Sequence, residues 1–209
     1  MAYLVLVRHG LSEYNKKGLW TGWHNPPLAP EGKEEARRAA EQLTDIHLDI
    51  GYTSPLQRNK QTLEEIRQKL NEDLHIIENP ALNERNYGMY TAKNKWQIKE
   101  QLGEQEFMKL RRSWDYPIPQ GESLKQVYER VIPYYVSTIL PQLKSGKNVI
   151  LASSGNALRS LMKYLERISD EDISKLEIGT GEVWIYQVDS EGEVVSKEIR
   201  NPNPATGKQ

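Results

Sequence analysis

Residues 3–10 read YLVLVRHG, and this stretch decides the fold. The apolar run from residue 3 to residue 7 has no polar interruption, which is typical of a strand buried on both faces of a parallel sheet. Arg8, His9 and Gly10 follow where that strand ends. Because ligands of parallel sheets bind at the carboxyl ends of the strands, this charged turn is the first candidate site.

A second stretch of the same kind, VILASSGN at 149–156, also runs from apolar residues into a glycine-containing turn. Helical spacing at 30–43 and 54–70, on either side of a short strand at 48–54, predicts alternating strands and helices. We expect an α/β fold, a three-layer sandwich with a mostly parallel central sheet flanked by helices. The tips of the first and later strands would then face one crevice.

The chain is expected to form a single domain over residues 1–200, since no repeat or linker interrupts it. Residues 94–114 are charged and aromatic and are interpreted as a helical insertion. Ser54 is expected to be the N-cap of the helix that follows it. The polar tail 201–209 is expected to be disordered.

Composition excludes several classes of function. The 209 residues carry a net charge of -1, so no global field attracts nucleic acid or an anionic membrane. There are no cysteines, which excludes disulfides, thiolate catalysis and thiolate metal sites. The apolar start is too short for a signal peptide or a membrane span. We expect a cytoplasmic protein, monomeric or homodimeric, that uses no nucleic acid or membrane partner.

His9 is one of only four histidines, and its neighbours suit a bound phosphate. Arg8 can bind phosphate bidentately, Gly10 allows close backbone approach, and Ser12 and Asn15 add hydrogen-bond donors within one turn. A neutral imidazole can attack phosphorus and form a covalent intermediate. The residues therefore indicate phosphoryl transfer.

Other candidate residues keep an ordinary interpretation when they are judged alone. Arg58 could be a solvated helix arginine, and Glu84 could form a surface ion pair with Arg85. The adjacent Arg111 and Arg112 could belong to a solvated basic helix face.

The stretch RHGLSEYN at 8–15 resembles the RHG signature of the histidine phosphatase superfamily. More of the chain, from residue 3 to about 200, is similar to the cofactor-dependent phosphoglycerate mutase branch. The matching stretches are LWTGWHNPPLAPEG, YTSPLQRNKQT, LNERNYG, NKWQ, RRSWDYPIP, GESLKQVYERVIPYY and SGNALRSLMKYLE.

This resemblance implies interconversion of 3-phosphoglycerate and 2-phosphoglycerate, in glycolysis and gluconeogenesis, through a phosphohistidine. It implies 2,3-bisphosphoglycerate as the primer and no metal. It makes His9 the nucleophile, Arg8 and Arg58 the guanidiniums on the transferring phosphoryl group, and Glu84 the general acid and base. The substrate-binding residues that it implies are Asn15, Ser12, Thr21, Gly22, Tyr87, Lys95, Arg111, Arg112, Ser154, Gly155 and Asn156.

Leu11, Ala29 and Ser154 depart from the family pattern, and only the change at Ser154 is expected to affect the chemistry. Ser154 stands where the superfamily has a second histidine, which helps to bind and polarise the transferring group. Losing such a donor can cost roughly two to three orders of magnitude in rate. A phosphoglycerate-binding protein of low turnover and a phosphomonoesterase therefore remain alternatives to the mutase. The retained nucleophile, acid and cations favour the mutase.

Overall fold

The apolar run at the start of the chain is a central strand of the sheet. The computed structural model describes residues 1–203. Its strands are β1 (Ala2–Arg8), β2 (Ile50–Thr53), β3 (His75–Glu78), β4 (Val149–Ser153), β5 (Val183–Val188) and β6 (Val194–Arg200). They form one sheet in the order β3-β2-β4-β1-β5-β6. β1, β2, β3 and β4 are parallel, whereas β5 and β6 pair antiparallel at one side. The predicted α/β fold with a mostly parallel sheet is confirmed.

Helices cover both faces of the sheet. They are α1 (Glu13–Lys16), α2 (Pro30–Glu41), α3 (Gln57–Leu70), α4 (Lys95–Arg112), α5 (Leu124–Tyr134), α6 (Leu140–Lys144) and α7 (Gly155–Leu165). A π-helical turn, Tyr135–Ile139, joins α5 to α6. Within residues 1–203, no helix is long and apolar enough to cross a membrane.

The alternating side chains of β1 build two apolar cores. Leu4 and Leu6 pack in the core formed with α5 and α7. Val5 and Val7 pack in the core formed with α2 and α3. Because each face of the strand is covered by its own pair of helices, the run needs no polar position, and its first charged side chains come at its end.

The predicted insertion contains α4, which changes direction at Gly103, where φ is 77°. A third apolar cluster, which includes Trp20, Tyr87, Phe107 and Leu110, joins the insertion to the loops beside the sheet. This packing places the two ends of α4 at the edge of the crevice.

Two local expectations need correction. Ser54 is not the N-cap of α3, which begins at Gln57; its Oγ instead accepts hydrogen bonds from Leu56 N at 3.3 Å and Asn59 Nδ2 at 2.6 Å. The chain also remains packed as far as Asn203, which is 2% exposed and accepts a hydrogen bond from Arg38. Residues 204–209 of the expected tail lie outside the described residues.

Candidate active site

The carboxyl ends of β1 and β4 open into a polar cleft of about 700 Å³, part of it open solvent. The cleft is lined by Arg8, His9, Asn15, Trp20, Thr21, Arg58, Glu84, Tyr87, Lys95, Arg111, Arg112, Gly155, Asn156, Arg159, Glu177 and Ile178. Most residues expected at the site are therefore brought together. Ser12, Gly22 and Ser154 are not among the lining residues.

His9 faces this cleft and is only 3% exposed. Its Nδ1 lies 2.7 Å from the carbonyl oxygen of Gly10. Because a carbonyl can only accept, Nδ1 carries the proton and Nε2 keeps a free lone pair. Burial, together with the positive charges of Arg58 and Arg8, lowers the pKa of His9 well below its usual 6.5. The imidazole is therefore neutral, as a nucleophile must be.

Gly10 holds the turn that carries His9. A Cβ at Gly10 would lie 2.0 Å from the carbonyl oxygen of Gly32, in the first turn of α2. The Gly10 N–H donates to Thr62 Oγ1 of α3 at 3.1 Å. Only glycine allows this close approach of two backbones, which fixes the end of β1 between α2 and α3.

Arg58, in the first turn of α3, is fully buried. Its Nη1 donates to His24 O at 3.0 Å and its Nη2 donates to Gly22 O at 2.9 Å. Its Nε has no hydrogen-bond partner among residues 1–203. Burial lowers the pKa of Arg58 to about 10, so it stays charged. Gly22 therefore helps to orient a guanidinium whose other N–H groups can donate to a phosphoryl oxygen.

Ser12 acts on Asn15 in a similar way. Its Oγ donates to Asn15 Oδ1 at 2.7 Å and accepts from Asn15 N at 3.2 Å, as the N-cap of α1. Because Oδ1 is occupied, Asn15 keeps its Nδ2 as the donor for a ligand in the cleft. Ser12 is thus placed to orient Asn15.

Glu84 is 8% exposed, and the hydrogen bonds that hold its carboxylate all go to one of its two oxygens. Oε1 accepts from Arg85 N at 2.6 Å, Asn156 N at 3.3 Å and Asn156 Nδ2 at 3.0 Å. No donor within residues 1–203 reaches Oε2, which is free to exchange a proton. The same Asn156 amide donates to Tyr87 Oη at 2.8 Å. The arrangement suits a general acid and base.

The insertion supplies a further wall of cations to the cleft. Lys95 begins α4, and Arg111 and Arg112 end it. Burial is the main cause that lowers the pKa of Lys95 to about 8, and the positive charges of Arg8 and Arg111 lower it further. Arg112 forms an ion pair with Glu177. This wall can bind a second anionic group, such as a carboxylate or a second phosphate.

Ser154 is fully buried at the start of α7 and is not among the residues that line the cleft. Its Oγ donates to Asn59 Oδ1 at 3.2 Å, while Asn59 Nδ2 donates to Ser54 Oγ. The single hydroxyl proton of Ser154 is thus used inside the protein. The expectation that Ser154 binds substrate has no support from this contact.

Sequence reasoning missed four lining residues: Trp20, Arg159, Glu177 and Ile178. Arg159 had a signal, since it follows Asn156 by three positions and therefore lies on the same helix face. No sequence signal indicated Glu177 and Ile178, because their loop reaches the cleft only through tertiary packing.

Residues 1–203 contain no group of three or more His, Asp or Glu side chains that could hold a metal ion. The expectation that the reaction needs no metal stays a prediction.

A sequence model of the histidine phosphatase superfamily (branch 1) matches residues 4–199. The chain belongs to this family. Within the superfamily, it is 46% identical over 199 residues to the 2,3-bisphosphoglycerate-dependent phosphoglycerate mutase of Parvibaculum lavamentivorans, covering 94% of this chain and 95% of the relative. It is also 46% identical over 190 residues to the protein of the same name from Cytophaga hutchinsonii, covering 91% and 89%. The resemblance drawn from the motifs is confirmed.

Two solved structures share the fold. YhfR of Bacillus stearothermophilus superposes with a TM-score of 0.82 at 22% identity over 100% of both chains. A mycobacterial glucosyl-3-phosphoglycerate phosphatase superposes with a TM-score of 0.83 at 20% identity, covering 96% of this chain and 98% of that one. At these identities the likeness concerns the fold.

Proposed function

We infer that the protein is a 2,3-bisphosphoglycerate-dependent phosphoglycerate mutase, which interconverts 3-phosphoglycerate and 2-phosphoglycerate through a phosphohistidine. One observation carries this inference. A neutral His9 imidazole, with a free Nε2, shares the cleft with the buried Arg58 and with a second group of cations from α4. A phosphoryl group and a carboxylate of one small substrate can be held at the two places.

In the proposed reaction, His9 Nε2 attacks phosphorus, so that the P–N bond forms as the bond from phosphorus to the glycerate oxygen breaks. The guanidiniums of Arg8 and Arg58 and the Asn15 amide bind the phosphoryl oxygens, where negative charge lies in the transition state. Glu84 gives a proton to the departing glycerate oxygen and, in the reverse transfer, takes one from the attacking hydroxyl.

The residues present fit 2,3-bisphosphoglycerate. When bound, it supplies the phosphoryl group that first loads His9. Arg58, which lines the cleft and has N–H groups without a protein acceptor among residues 1–203, would donate to one phosphate. Lys95, Arg111 and Arg112 would hold the carboxylate and the other phosphate. With the glycerate turned round in the cleft, Arg8, Arg58 and Asn15 would hold the other phosphate for transfer to His9 Nε2, and Glu84 would protonate the glycerate oxygen from which it departs.

The wall of cations from α4 favours the mutase over a phosphomonoesterase, because water as the phosphoryl acceptor needs no carboxylate-binding group. The cytoplasmic location and the monomeric or dimeric state stay predictions.

The test is phosphorus NMR of the purified protein with 3-phosphoglycerate and trace 2,3-bisphosphoglycerate. His9→Ala is the inactive variant, and His47→Ala, whose side chain is 76% exposed, is the matched control. We expect 2-phosphoglycerate to form with the wild type and with the His47 variant but not with His9→Ala. Free phosphate as the only product would identify a phosphatase instead, and binding without turnover would identify a binding protein.

A further inference from the structure

Arg159 is a buried cation of the cleft that the proposed mechanism does not use. It lies on α7 and is 4% exposed. Its Nη1 donates to Asn156 Oδ1 at 2.8 Å, and its Nη2 donates to Ile173 O at 2.7 Å and to Arg112 O at 3.0 Å. Only its Nε lacks a partner within the described part of the chain. Both terminal nitrogens are thus committed to protein oxygens.

The contact with Asn156 determines which way that amide points. A guanidinium can only donate, so Asn156 must present Oδ1 to Arg159 and Nδ2 to the opposite side. On that side Nδ2 donates to Glu84 Oε1 and to Tyr87 Oη. Without Arg159, the amide could turn and place an oxygen against the Glu84 carboxylate.

The other two contacts join separate walls of the cleft. The carbonyl of Arg112 belongs to the last turn of α4, which carries the cations expected to hold the substrate carboxylate. The carbonyl of Ile173 belongs to the segment that leads to Glu177 and Ile178. One side chain therefore fixes three walls relative to one another.

Burial, together with the nearby charge of Arg112, lowers the pKa of Arg159 to about 9. Keeping a charge among other buried cations costs free energy, and the three hydrogen bonds to protein oxygens offset part of this cost. These contacts indicate that Arg159 holds protein groups in place.

We propose that Arg159 is a positioning residue for phosphoryl transfer, which directs the Asn156 amide onto the Glu84 carboxylate and fixes the end of α4 beside it. This inference rests on the mutase function proposed above. A displacement of the acid and base, or of the substrate, by about 1 Å is enough to slow a reaction by about 100-fold.

A double-mutant cycle tests the proposal through kcat and KM of Arg159→Met, Asn156→Ala and the double variant. We expect each single change to lower kcat by about 100-fold. If Arg159 acts through Asn156, the double variant should be slower than either single variant by no more than about 3-fold. A kcat of the double variant that is about 10⁴-fold below that of the wild type would mean that the two losses are independent and would overturn the proposal. An unchanged kcat in Arg159→Met would also overturn it.

Further variants separate positioning from folding. Arg167→Met removes an exposed arginine just beyond α7 and should leave kcat and the melting temperature unchanged. Arg159→Lys keeps the charge but cannot reach all three oxygens. We expect it to fold, with kcat still at least about tenfold below the wild type. If Arg159→Met does not fold, the cycle uses the lysine variant. Full activity of that variant would contradict the proposal.

Failure of the mutase function can be told apart from failure of this inference. If the wild type turns over but the cycle is additive, only the role of Arg159 is wrong. If the wild type does not turn over, the mutase proposal fails, and the same cycle is measured on the Kd of 2,3-bisphosphoglycerate by calorimetry. Coupled losses of affinity would support the positioning role, and independent losses would exclude it.

Discussion

The ends of β1 and β4 lie side by side, with Arg8 opposite Ser153, but they carry different kinds of side chain. The end of β1 presents a charged guanidinium and a neutral imidazole whose proton position is fixed. The end of β4 presents a buried serine turned towards Asn59 and an amide that serves Glu84.

The difference indicates how the proposed reaction can proceed without the second histidine. In the proposed reaction, electrostatic binding of the phosphoryl group is concentrated at Arg8, at the end of β1, and at the buried Arg58. The end of β4 contributes mainly to the placement of Glu84. The comparison predicts a large loss of activity when residues at the end of β1 or Arg58 are changed, and a small loss when Ser154 is changed.

The largest effect is expected for Arg58→Met. Its guanidinium is oriented by two carbonyls and offers an unpaired Nε, so its loss should lower kcat/KM by about 10³-fold. Steady-state kinetics with 3-phosphoglycerate measures this. Lys60→Met, a change at a half-exposed position of the same helix, is the control. A loss below about tenfold would remove Arg58 from the group that stabilises the transition state.

Glu84→Gln is expected to lower kcat by about 10²-fold, because glutamine keeps the Oε1 contacts but cannot exchange the proton. The same variant should transfer phosphate from p-nitrophenyl phosphate to His9 almost normally, since that leaving group needs no proton. Parallel assays of the two substrates check this. Equal losses with both substrates would assign Glu84 a role other than acid and base.

The lowered pKa of Lys95 predicts that substrate binding depends on pH. Its pKa, lowered to about 8 by burial and by Arg8, means that the ammonium is charged below that pH and neutral above it. Affinity for 3-phosphoglycerate should therefore fall about tenfold from about pH 7.5 to about pH 9. Calorimetric titrations of the wild type, Lys95→Met and the control Lys99→Met measure it. The account is contradicted if Lys95→Met keeps the same pH dependence.

Ser154→Ala should have the smallest effect on catalysis, a change in kcat/KM of less than about 3-fold, whereas a donor to the transition state would cost about 10²-fold or more. It should lower the free energy of unfolding by about 1–3 kcal/mol, because Asn59 Oδ1 loses its buried donor. Denaturant unfolding and kinetics separate the two effects. Ser160→Ala, whose buried Oγ has no partner among residues 1–203, is the control.

The alternation of strands and helices, the mostly parallel sheet and the position of His9 follow from local features that the sequence shows directly, namely apolar runs, helical spacing and the turn after β1. Contacts across the fold were harder to predict. Ser54 was expected to cap α3 from its position alone, but its buried oxygen is taken by Asn59. The orientation of Ser154 and the arrival of Glu177 depend on side chains far away in sequence.

The central claim is that His9 carries the phosphoryl group without a donor from Ser154. Rapid quenching with ³²P-labelled 2,3-bisphosphoglycerate tests it most directly, by following acid-labile label on His9 in the wild type, Ser154→Ala and His9→Ala. We predict labelling at rates within about 3-fold in the first two proteins and none in His9→Ala. Labelling that persists in His9→Ala, or that slows by about 10²-fold in Ser154→Ala, would contradict the account.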